Sequence, residues 1–380
     1  MKKALVVASV ASMIDLFNRD NIIILKDLNY EVHVSANFNY GNITSKERVN
    51  KFKKELKDNG VIVNDVPIPR KITSIKDIFV SYNLLKKDIS NEGYDMIHCQ
   101  SPIGGVLCRI AAIKARRCGT KVIYTAHGFH FYKGSSLVNW LVYYPIEKLC
   151  SFFTDIAITI NSEDYKISKK MHASKNYCIP GIGIDNAKIE NIKIDIKDYR
   201  QKFGIDDDDF VFISVGQLSK RKNHKVVIEA LSKINDSKVK YIIVGLGELE
   251  NYLKNIVKQK GLENRIIFTG YREDVIELLK MSDAFIFPSK QEGLPVSLME
   301  AMSAGNIIVC SKIRGNVDLI EDKINGYVFE LNSFQTLLNS MNSVIHNRKS
   351  KRMQDINKIK ILKYDKKVVN SLMRRIYNEI

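Results

Sequence analysis

Two successive series of short apolar runs, each alternating with amphipathic stretches, predict an α/β protein of two doubly wound, Rossmann-like parallel-sheet domains. The first series has strand candidates at 4–10, 30–35, 61–66, 96–99, 121–125 and 155–160, with helical spacing near 46–58, 75–90, 104–117, 136–152 and 162–171. The alternation restarts at 210–215 and continues through 240–244, 265–269, 284–287 and 307–310, with helices over 223–234, 248–260 and 273–281. A third observation separates the two series. Residues 181–209 are rich in Gly, Asp and Lys and weak in apolar periodicity, so the hinge is placed there. A chain of 380 residues is long enough for two cores.

The start of the chain holds a trap. Met1-Lys2-Lys3 followed by an apolar run to Ile14 mimics a secretory signal. The six cysteines argue otherwise: they are scattered, mostly in apolar context, without metal spacing, as in a reduced intracellular protein. The run is therefore read as the first strand, followed by a loop and a helix from about Asp15. No apolar run approaches the ~20 residues of a membrane span. Lys+Arg 59 against Asp+Glu 42 gives a net charge of +17, which favours anionic partners. The densest basic clusters are 348–352 and 358–367. No basic stripe interleaved with aromatics appears, which speaks against nucleic acid.

The stretch 284–311 organises the second half. An apolar strand ends at Pro288, a polar loop runs to Gly293, and Pro295 sits where a helix can begin. Leu294, Leu298, Ala301 and Gly305 recur at helical spacing, and Gly305 stops the helix. Free amides at the helix start, around Gly293, Leu294 and Val296, are suited to a phosphate. Glu292 and Glu300 suit hydroxyls better than phosphate, because carboxylates accept and do not donate. Glu300 lies roughly 7–8 Å along the helix from Pro295, near the step from a diphosphate to its ribose.

The run Glu292-Gly-Leu-Pro-Val-Ser-Leu-Met-Glu300 resembles the signature of retaining nucleotide-sugar glycosyltransferases of the GT-B family 4, of the bacterial capsular and exopolysaccharide type. The resemblance implies two Rossmann-like domains facing across a cleft, with Glu300 on the ribose and Glu292 at the donor sugar. Gly216-Gln217-Leu218-Ser219-Lys220-Arg221-Lys222-Asn223 resembles the family loop whose Arg and Lys neutralise the donor diphosphate. Lys222 matches the Lys, Gln217 replaces the Arg, and Arg221 is a candidate substitute. Gly245 and Arg272 stand in strand-end loops that border the nucleotide in relatives. His127-Gly128 matches the stretch where a His contacts the donor sugar. Relatives carry a Gly pair after the first strand; here Ser12 takes that place and is assigned to the acceptor side. His98–Pro102 is read as lining the acceptor side or capping a helix, with the cap favoured, and Asn161 as another cap. The final helix is assigned to the first domain by resemblance, giving domains 1–186 plus 363–380 and 187–362.

The expected activity is transfer of a hexose or N-acetylhexosamine from a UDP-sugar, with retention, to a glycan. The glycan is expected to be linked to undecaprenyl diphosphate at the inner, anionic membrane face, to which the protein binds peripherally. His127, Glu292 and Lys222 are the expected catalytic residues. No Asp-x-Asp stands at a strand end, so no metal and no cofactor are expected. Rival readings are a UDP-sugar epimerase of the same fold and a non-catalytic sugar-nucleotide-binding partner of another transferase.

Overall fold

The computed structural model describes residues 1–348 and 350–380; Lys349, inside the basic cluster 348–352, lies outside the described residues. The chain divides into two compact units, 1–181 with 367–380, and 182–366. The expected boundaries after 186 and 362 lie five residues beyond the first division and four before the second.

The first unit runs through Lys2–Val10 (β1), Ala11–Phe17 (α1), Arg19–Asp27 (α2), Tyr30–Asn37 (β2), Lys46–Asp58 (α3), Ile62–Asp65 (β3), Ile75–Glu92 (α4) and Met96–Gln100 (β4). It continues with Pro102–Ala111 (α5), Ile113–Arg117 (α6), Lys121–Ala126 (β5), Leu137–Ser151 (α7), Ile156–Thr159 (β6), Ser162–Ser168 (α8) and Lys175–Cys178 (β7). Its seven strands lie in the order β3-β2-β1-β4-β5-β6-β7, and all pair in parallel. β1 is central because residues 4–10 are buried throughout, the burial that a parallel sheet covered on both faces demands.

The second unit comprises Asn186–Asn191 (α9), Ile196–Gln201 (α10), Phe210–Val215 (β8), His224–Leu231 (α11), Val239–Val244 (β9), Glu250–Gln259 (α12), Ile266–Gly270 (β10) and Val275–Met281 (α13). Ala284–Phe287 (β11), Val296–Ala304 (α14), Ile307–Ser311 (β12), Asn316–Leu319 (α15), Tyr327–Phe329 (β13), Phe334–His346 (α16) and Lys351–Ile361 (α17) complete it. The order β10-β9-β8-β11-β12-β13, again parallel, repeats the first sheet's plan. The last helix, Lys366–Asn378 (α18), packs with the first unit. There the Tyr377 hydroxyl meets His98 Nδ1 at 2.8 Å, while His98 Nε2 meets Thr125 Oγ1 at 2.8 Å. Burial pushes the His98 imidazole down to about 3, so it is a neutral core residue.

Four expectations are corrected. No loop follows β1: Val10 is extended and Ala11 already begins α1, since no glycine or proline interrupts residues 10–13. His98 lies inside β4. Ser101 gives α5 no side-chain cap; its hydroxyl instead meets Ser9 Oγ at 2.7 Å. The expected hinge 181–209 is not without structure, because Asp185 and Asp195 cap α9 and α10. The edge strands β7 and β13 were missed, being four and three residues long. Asn161 does cap α8, accepting from Asp164 N at 2.8 Å. Among the described residues no helix is long and apolar enough to cross a membrane.

Candidate nucleotide-sugar site

In both sheets the chain order reverses beside the first strand of the unit. Ligands of doubly wound sheets bind beyond the carboxyl ends at such a reversal. In the second unit that point lies between β8 and β11, which pair directly. The loops that follow these two strands carry most of the expected donor-site residues.

Gly216 follows β8 and Lys222 closes the loop before α11. The Lys222 side chain runs back over Gly216, so a Cβ there would stand 3.0 Å from Lys222 Cε. This approach explains the glycine. The Lys222 ammonium is 2.9 Å from Glu292 Oε1 and 4.4 Å from the centre of the Phe287 ring at the end of β11. Burial holds the Lys222 pKa below that of a free lysine, and Glu292 partly offsets this. Arg221 Nη1 also reaches Glu292 Oε1, at 2.6 Å, and donates to the Gln291 carbonyl at 2.9 Å. Glu292 is thus held by two cations. Gln217 is exposed and leaves the cationic role to its neighbours.

Pro295 precedes α14 and, with no side-chain acceptor, gives the helix start no side-chain cap. The first-turn amides after it therefore lack an intrahelical acceptor, as at any helix start. Gly305 ends the helix in the left-handed region, as its position predicts. Gly293 is pressed against Gly315, where a Cβ would lie 2.3 Å from the Gly293 carbonyl oxygen. Arg314 Nε donates to the Glu292 carbonyl at 3.2 Å, fixing the loop from below. Glu300 stands five residues beyond Pro295. Its carboxyl has no hydrogen-bond partner among the described residues, and burial pushes it up to about 7. Leu294 is buried, and Val296 is half-buried.

The neighbouring loops are laced to this one. Gly216 N donates to the Val244 carbonyl, Leu218 N to the Leu246 carbonyl and Gly245 N to the Gly270 carbonyl, at 2.9, 3.0 and 2.8 Å. A Cβ on Gly245 would fall 2.1 Å from the Gly216 oxygen, so the two loops touch only because it is glycine. Arg272 is turned aside: its guanidinium pairs with both oxygens of Asp274, at 2.7 and 2.5 Å. Buried Ser219 Oγ, His224 Nε2 and Ser289 Oγ have no hydrogen-bond partner among the described residues. Asp206, Asp208 and Asp209 cluster, but Lys238 and Lys240 pair with them and Asp209 accepts from Asp206 N.

In the first unit His127 follows β5, beside Gly128 with φ 138°. A relay that sequence reasoning missed fixes it. Asn18 Nδ2 donates to the Met13 carbonyl at 3.5 Å, which leaves Asn18 Oδ1 to accept from Gln100 Nε2. Gln100 Oε1 then accepts from His127 Nε2 at 2.5 Å. A carbonyl only accepts, so the relay has one direction. It puts the His127 proton on Nε2 and leaves Nδ1 as the acceptor. Burial pushes His127 down to about 4, so the ring is neutral at pH 7. The available signal was Gln100, a buried polar residue ending a fully buried strand at the reversal. Nitrogen-15 spectra of labelled His127 are expected to show the Nε2–H tautomer, and Gln100→Ala to mix both tautomers; a wild-type Nδ1–H signal would refute the relay. Ser12 is buried, and its Oγ accepts from Ile43 N at 3.2 Å, so its side chain ties down the 37–43 loop.

Residues 195–361 match the family model of group 1 glycosyl transferases, and residues 23–161 match that of glycosyl transferase 4-like domains. EpsD of Bacillus subtilis (strain 168), assigned by name to the glycosyltransferases, is 33% identical over 91% of this chain and 88% of its own. The Escherichia coli UDP-Gal:alpha-D-GlcNAc-diphosphoundecaprenol alpha-1,3-galactosyltransferase is 33% identical over 71% of this chain and 70% of its own. The crystal structure of Anabaena HepE in complex with UDP and glucose covers 100% of both chains with a TM-score of 0.78, at 22% identity.

Proposed function

Because this chain belongs to the group 1 glycosyltransferases of the GT-B family 4 type, we propose that it transfers a hexose or N-acetylhexosamine from a UDP-sugar to a lipid-linked glycan. The transfer retains the anomeric configuration and serves cell-surface polysaccharide assembly at the inner face of the membrane. The observation that carries the reading is the juxtaposition of half-buried Lys222, Glu292 and the uncapped start of α14, with Glu300 further along the same helix. The E. coli relative, named for a UDP-sugar donor and a diphosphoundecaprenol acceptor, supports both substrate classes.

In this reading the diphosphate sits over the first-turn amides of α14 beside Lys222, which stabilise the charge that develops as the glycosidic C–O bond breaks. Glu300 accepts the two ribose hydroxyls. Glu292 orients the donor sugar. The acceptor hydroxyl attacks from the face the nucleotide leaves. Its oxygen forms the new C–O bond, the bonding pair departs with the diphosphate, and a diphosphate oxygen takes the acceptor's proton. That route needs no metal ion and no cofactor.

The test is mass analysis of products from a panel of UDP-sugars and a polyprenyl-diphosphate-linked N-acetylhexosamine, with and without EDTA. Acceptor-dependent product, undiminished by EDTA and of unchanged anomeric configuration by NMR, is expected. Strict Mg²⁺ dependence would overturn the metal-free route. Conversion of the UDP-sugar without acceptor would make the protein an epimerase.

A further inference from the structure

The outward side of α7 is apolar along its length. Leu137, Val138, Leu141, Val142, Ile146 and Leu149 are all exposed, Leu137 by 80% and Leu141 by 76%. Phe152 extends the stripe past the helix end. Helical spacing places these residues on one side, where Lys148 is the only charge. The opposite side is no more polar. Trp140, Tyr143 and Tyr144 pack against the core, and Glu147 is buried in an ion pair with Arg109 at 2.7 Å. A helix apolar all round needs cover on both sides, and the described residues supply one.

A second helix shows the same character. On α4, Ile75, Phe79, Val80 and Leu84 are exposed, interspersed with the exposed Lys76, Lys86 and Lys87. α5 packs against both α4 and α7, so the two apolar faces belong to one helical layer of the first unit. Together they make an apolar area studded with lysines, in which the half-buried Asp77 is the acid nearest the apolar residues.

We propose that this layer, formed by the outer faces of α4 and α7, is a docking surface for an anionic lipid bilayer. The leucines, isoleucines, valines and phenylalanines enter the headgroup–acyl boundary, while Lys76, Lys86, Lys87 and Lys148 meet lipid phosphates. Charge selects the occupant. A second copy of a chain with net charge +17 would bring like charges together at this face, whereas an anionic bilayer neutralises them. The inference deepens the proposed function, on which it rests for the reason to be at a membrane: the acceptor's lipid lies in that bilayer.

The experiment is flotation of the full-length protein with vesicles of phosphatidylglycerol and phosphatidylcholine, or of phosphatidylcholine alone. The wild type is expected to bind the anionic vesicles about tenfold or more tightly, and to weaken with salt. The variant Leu137→Ser/Leu141→Ser/Leu149→Ser is expected to lose about tenfold or more in vesicle binding. Its melting temperature and UDP affinity should be unchanged, because these side chains are already in solvent. Lys86→Glu/Lys87→Glu should flatten the salt dependence. Wild-type protein that ignores anionic vesicles, or a triple variant that floats like wild type, overturns the proposal. So does a wild-type dimer in sedimentation that the triple variant dissolves, for the occupant would then be a second copy. Transfer to a detergent-solubilised acceptor reads the enzymatic activity separately. Protein active in detergent but indifferent to vesicles refutes the docking surface alone. Protein that floats but transfers nothing supports the surface and refutes the activity.

Discussion

Lys222→Met is expected to lower turnover by about 10²–10³-fold, the loss typical when one preorganised donor to a developing anion is removed. Methionine keeps much of the volume over Gly216 and Phe287, so packing survives. Fold stability should hardly change, because the ammonium's burial already opposes its charge. UDP affinity should fall less than turnover, since charge on the leaving diphosphate is greatest in the transition state. Steady-state kinetics with a saturating UDP-sugar, alongside calorimetric UDP titration, separates the two effects. Turnover near wild type would remove Lys222 from the chemistry and pass the cationic role to Arg221.

Glu300→Gln is expected to weaken nucleotide binding by more than tenfold while raising the melting temperature above pH 7 by a few degrees. The sign follows from the raised carboxyl. Its pKa is about 7 in the folded protein against 4.5 in an exposed chain. Folding gains from this group are complete below about pH 4.5 and are lost as pH rises to about 7, above which the folded state carries a desolvated charge. Glutamine carries none. In the proposed site the carboxylate form would accept from both ribose hydroxyls, whereas the protonated form has given up part of that capacity. Wild-type affinity for uridine, which has no phosphate to titrate, should therefore fall as pH drops from 8 to 6. In Glu300→Gln it should be flat. Equal affinity in the two proteins at pH 8 would remove Glu300 from the ribose.

How much of this was legible in the sequence depended on the length scale of the signal. Alternation of buried runs with helical spacing disclosed both sheets, because a strand covered on both faces has to be apolar throughout. Residues 284–305 were readable almost residue by residue, since Pro288, Pro295 and Gly305 punctuate them. The edge strands β7 and β13 were not, for a short edge strand needs little apolar character. The family pattern implied separate donor roles for Lys222 and Glu292 but not the ion pair between them. The second cation on that carboxylate, Arg221, depends on how the 217–223 loop closes on Lys290, whose N–H donates to the Arg221 carbonyl at 2.8 Å. The Asn18–Gln100–His127 relay joins three elements far apart in the chain, and no local pattern announces such a meeting. The expected cap at His98–Pro102 failed because the strand's own burial claimed His98, and Ser9 claimed Ser101.

Glu292, clasped by Lys222 and Arg221, already occupies the place of an incoming anion's charge. On the proposed function, stray phosphate or carboxylate would have to displace a tethered competitor at high effective concentration, and a ligand that also satisfies Glu300 and the α14 amides would gain enough to do so. The same carboxylate would then be at hand to reclaim the ammonium as the spent nucleotide leaves, which would turn the resting ion pair into an aid to repeated cycling.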